Sequence, residues 1–87
     1  MLADKYKDRV SLICHATTGR MLAELSNPKY RGAAFSWDSF PKMAASSCKA
    51  QVMLSMPMTE KIQAQCLEHA EKTGFEIATE WLKLMNE

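Results

Sequence analysis

Three glycines and three prolines in 87 residues are too few for a turn-rich β-sandwich or for a disordered chain. No stretch alternates apolar and polar residues as a half-buried strand does. Long apolar runs are also missing. The longest uncharged stretches, residues 10–19 and 50–59, hold ten residues each, about half of the roughly 20 that a bilayer-spanning helix needs. The first residues are charged from Asp4 onward and no apolar segment of signal-peptide type follows them. Neither sign of charge dominates. Eleven Lys and Arg against ten Asp and Glu leave +1, so the basic surplus typical of a nucleic-acid or anionic-membrane binder is absent. Cysteine is sparse and odd in number. Cys14, Cys48 and Cys66 form no CxxC pair, and the expectation is three reduced, metal-free thiols in a reducing cytoplasm. The sequence also has no G-x-G-x-x-G, no P-loop and no HxxxH.

Apolar residues, by contrast, are plentiful. They make up 47% of the chain, with seven Met and eleven Ala. A single domain of this length buries only about 60–65% of its unfolded surface, so some of this apolar surface is expected to remain available to a second copy or a partner. The periodicity is helical. Leu2, Tyr6, Val10, Ile13, Thr17, Met21 and Leu25 recur at three-to-four spacing and mark a first helix, which ends at Asn27-Pro28 because the residue before Pro avoids the helical region. Two Thr and Gly19 weaken its middle, so a break near Gly19 is expected to be possible. The second helix begins near Ser39, with Pro41 in its first turn. It is expected to show one face of Phe40, Met43, Ala44, Ser47, Ala50 and Leu54. The third begins around residues 57–59 and runs to the C-terminal end. One stripe holds Ile62, Cys66, Ala70, Ile77, Trp81 and Leu84; an adjoining one holds Leu67, Gly74, Ala78, Leu82 and Met85. The expected fold is all-α: one helical domain over residues 1–87, a three-helix bundle, or four if the first helix breaks, completed by self-association or a partner.

Candidate chemistry is thin. Cys66 and His69 share a helix face at i, i+3, but zinc needs further ligands, and Cys66 also lies on the apolar stripe, where a free Cys behaves as a small hydrophobe. Cys14 and His15 are adjacent, so on a helix their side chains diverge by about 100° and cannot act as nucleophile and base. Residues 8–31 can be drawn as helix, turn, helix, with Thr18-Gly19-Arg20 at the turn and Lys29 and Arg31 on phosphates. Against that stand Glu24 and the shortness of the second helix. No catalytic residue, cofactor or metal site is assigned.

The charges are unevenly placed. Residues 1–31 sum to +3 and residues 60–87 to −3, which suits attraction between the two ends of one fold or docking on a charged partner. Residues 29–42 hold Tyr30, Phe35, Trp37 and Phe40, four of the seven aromatic side chains, in a segment that otherwise reads as a connector. Connectors between packed helices usually run about 2–8 residues. The expectation is that Phe40 is structural and Phe35 mixed. Tyr30, Arg31 and Trp37 are expected to form a contact surface, with Trp81 on the last helix as a further contact. The leading reading is a non-enzymatic helical interaction protein: an adaptor, regulatory subunit or inhibitor. It would bind a heterologous protein or a second copy through aromatic and Met side chains, without inserting into a membrane. The alternatives are a nucleic-acid-associated protein using the basic N-terminal third, or a small Cys/His metal or redox protein.

Overall fold

A computed structural model describes residues 2–32 and 35–86. Three α-helices account for most of them: α1 (Asp4–Leu25), α2 (Phe40–Ser55) and α3 (Glu60–Met85). Single 3-10 turns at Pro28–Tyr30 and Trp37–Ser39 punctuate the connector between α1 and α2. No strand occurs among the described residues, and each helix packs on both others, most extensively α2 on α3. No helix of the described residues is long and apolar enough to cross a membrane.

The helix limits follow local chemistry. α1 stops before Asn27-Pro28, and the Asn27 side chain accepts a hydrogen bond from the Lys29 amide at 3.1 Å, closing the first 3-10 turn. Ser36 does the same for the second, accepting from the Asp38 amide at 3.2 Å. Pro41 occupies the first turn of α2, where its missing N–H costs nothing.

Helix α1 does not break. It runs unbroken through Thr17, Thr18 and Gly19, so the four-helix alternative and the helix-turn-helix drawing both fall. The reason is burial: Thr17 is 5% exposed and Thr18 is fully enclosed. Tertiary packing outweighs the roughly 1 kcal/mol that Gly19 forfeits against Ala. The indole of Trp81 rests at Gly19, where an added Cβ would lie 3.8 Å from the ring.

The inward face of α2 also differs from expectation. Phe40, Ala44, Cys48 and Val52 are buried at strict i, i+4 spacing, with Pro41 and Ala45 beside them. Met43, Ala50 and Leu54 lie outside. The small residues do permit close approach, but the approach is to α3 within the bundle. At Gly74 a Cβ would fall 2.8 Å from the Cys48 sulfur and 2.9 Å from the Ala44 carbonyl oxygen. Only the row through Ala44 and Cys48 faces Gly74, and that contact sets the rotation of α2.

The core has two parts. Val10, Cys14, Cys48, Val52, Met56, Cys66, Ala70 and Ile77 form one; Leu25, Phe40, Ala44 and Ala78 form the other. The connector closes the second. Phe35 and Trp37 pack on it, with Phe35 edge-on to Trp37 at 5.2 Å and Trp37 edge-on to Phe40 at 5.6 Å between ring centroids. Edge-to-face pairs each contribute about 0.5–1.5 kcal/mol beyond burial. Trp37→Ala removes two of them and is expected to lower stability by about 1–3 kcal/mol in a denaturant titration. An unchanged midpoint would show that the indole does not hold this end of the bundle.

Among the described residues the single ion pair within 4 Å is Lys49–Glu71 at 3.4 Å, between α2 and α3 and exposed on both sides. The basic N-terminal third and the acidic last helix make no such pair among these residues.

Candidate functional site

Helix α3 turns Gly74, Ile77 and Ala78 inward. Position 75, about 100° further round, must then point away from the core, and the Phe75 ring is accordingly 45% exposed. It sits where two shallow grooves meet. One runs between α2 and α3, with Ala45 and Ser46 on one wall and Glu68, Glu71 and Lys72 on the other. The second continues along α3 past Glu76 and Glu80 to Leu84, which is 60% exposed. The first is lined by α2 and α3 and the second by α3 alone, with no α1 residue in either. Further apolar side chains lie exposed on α2: Met43, Met53 and, at 80%, Leu54.

The aromatic and arginine residues expected to make contacts are not gathered into one patch. Tyr30 stands out at 66% exposure on the first 3-10 turn, and Arg31, which caps that turn, is half-buried. Phe35 and Trp37 belong to the lid over the second core. Trp81 is half-buried against the first core, edge-on to the His15 ring at 6.5 Å.

The sulfur groups are placed differently again. Cys14 and Cys48 are both fully buried, on facing helices. The Cys48 sulfur lies 3.7 Å from the Cys14 carbonyl oxygen and 3.6 Å from the Thr18 hydroxyl, while the Cys14 thiol donates to the Ala70 carbonyl at 3.6 Å. The neighbouring Cys48, aided by burial, pushes the Cys14 thiol well above the ordinary range. The neighbouring Cys14 holds Cys48 below the ordinary thiol range against its burial, with the Thr18 hydroxyl helping. Cys66 is buried too, and burial alone raises it.

The histidines are engaged on their own helices. The His15 Nδ1–H donates to the Ser11 carbonyl at 2.8 Å, and His69 Nε2 lies 3.4 Å from the Thr73 hydroxyl. Cys14 is enclosed whereas His15 is exposed, so these neighbours do diverge. Among the described residues no three His, Cys, Asp or Glu side chains come together as a metal site. No protein-family model matches the chain, nor does any curated protein or solved structure.

Proposed function

We propose that this chain is a non-enzymatic protein-interaction module, an adaptor, regulatory subunit or inhibitor, whose working surface is the outer face of α2 and α3 with Phe75 as its anchor. The observation that carries this reading is the exposure of Phe75 at the junction of two grooves, in a chain whose small core leaves Leu54 and Leu84 exposed as well. Aromatic and Met side chains are enriched at the centres of protein interfaces, and Met adapts to a partner's shape. Carboxylates and lysines surround Phe75, which suits a polar rim about an apolar anchor. Tyr30 and Arg31 offer a second point of contact on the connector. Trp37 and Trp81 support the surface by holding the bundle together.

The test is Phe75→Glu. About half of Phe75 is covered, so its loss should cost about 1 kcal/mol of stability, too little to unfold the chain. Binding to the proteins that co-purify with the wild type should weaken by about 2 kcal/mol or more, as it does at an interface anchor. Undiminished binding would place the contact elsewhere, with Tyr30 the next position to replace.

A further inference from the structure

Two thiols 34 residues apart in sequence meet where α1, α2 and α3 converge, and no residue of the partner surface is involved. We propose that Cys14 and Cys48 are a dithiol that a hydroperoxide oxidises to an intramolecular disulfide, joining α1 to α2. The argument begins with placement. Cys14 and Thr18 lie one turn apart on α1 and present the same face to α2, and Cys48 enters between them. Its sulfur sits 3.7 Å from the backbone oxygen of Cys14, and both side chains belong to the same buried cluster. Gly74 on α3 leaves room for the Cys48 sulfur, since a Cβ there would lie 2.8 Å from it. The surroundings also favour one sulfur as the nucleophile. The Thr18 hydroxyl stands 3.6 Å from the Cys48 sulfur and favours its thiolate, whereas the Cys14 thiol is directed away, at the Ala70 carbonyl. Cys66 lies in the same core with its thiol raised by burial alone.

The chemistry balances with the peroxide as sole oxidant. The Cys48 sulfur attacks one peroxide oxygen and the O–O bond breaks. The departing hydroxide takes up the proton from Cys48 and leaves as water, so Cys48 becomes a sulfenic acid. The Cys14 sulfur then gives up its proton and attacks the Cys48 sulfur. The S–O bond breaks and a second water leaves. Two thiols have lost two protons and two electrons, and one peroxide has become two waters. Both sulfurs are enclosed, so the oxidant enters through local opening of the bundle. The reaction is therefore slower than at an exposed thiol, but its outcome is set by the neighbour that waits at Cys48.

The experiment uses the wild-type chain, folded and fully reduced, treated with a small excess of hydrogen peroxide and then digested without reductant. The expected result is a monomer lighter by two hydrogens, with Cys14 and Cys48 peptides linked, Cys66 still alkylatable, and the lost mass restored by a dithiol reductant. The linked protein should also unfold at a higher denaturant concentration, because the bridge restricts the unfolded chain. A bridge that includes Cys66, a covalent dimer, sulfinic acid at Cys48, or three unreacted thiols would each overturn the proposal.

Discussion

Phe40→Ala is expected to be the most damaging single truncation in the chain, costing about 3–5 kcal/mol. Phe40 is the largest fully enclosed side chain. It starts α2, packs with Leu25 of α1 and Ala78 of α3, and supports the Trp37 ring from below. Its removal leaves a cavity at the junction of all three helices and takes away the surface on which the connector folds. Domains of this size hold about 5–15 kcal/mol in total, so the variant should unfold at a much lower denaturant concentration or fail to fold. Phe40→Leu, which refills most of the space, should recover a large part of the loss. A cost below about 1 kcal/mol in the alanine variant would mean that the ring is not the keystone of the second core.

Gly74→Ala is the second, and here two effects oppose each other. Alanine is the better helix former by about 1 kcal/mol, so an exposed glycine in mid-helix would be improved by the change. At Gly74 the new methyl would lie 2.8 Å from the Cys48 sulfur and 2.9 Å from the Ala44 carbonyl oxygen. The sulfur can rotate away, but the backbone oxygen moves only if α2 moves with it. Overpacking of this kind costs about 1–3 kcal/mol. The expected outcome is a net destabilisation of up to about 2 kcal/mol, opposite in sign to helix propensity, measured by urea titration. Adding Cys48→Ala should restore only part of it, because the Ala44 oxygen remains. A stabilised Gly74→Ala would show that α2 and α3 stand further apart.

The three helices were legible from residue spacing. The stripes of α1 and α3 are regular, and Asn27-Pro28, Ser39 and Thr59 mark limits close to those observed. The face of α2 was harder to read because nearly every position of that helix is small or apolar. Its rotation depends on Gly74, a residue of another helix. The integrity of α1 at Thr18 was hidden for a similar reason, since its enclosure by α2 leaves no trace in local propensity. The same limit applies to the sites. Cys14 and Cys48 are 34 residues apart with no motif between them, and only the crossing of α1 and α2 brings them together. Phe75 carried a usable signal. It falls outside both apolar stripes of the third helix, and a large aromatic residue off the buried stripe of a helix is a candidate surface anchor. The concentration of aromatics in residues 29–42 drew attention toward the connector, where Phe35, Trp37 and Phe40 are used for packing.

The central claim is that the α2–α3 face around Phe75 is a protein contact surface. It is tested most directly by placing a photo-crosslinking side chain at position 75 in one protein and at the exposed position 8 of α1 in another, with irradiation in the native cells. The account predicts a discrete covalent adduct from position 75, whose mass identifies a heterologous protein or a second copy, and no comparable adduct from position 8. No adduct at 75, or equal adducts at both positions, would contradict it.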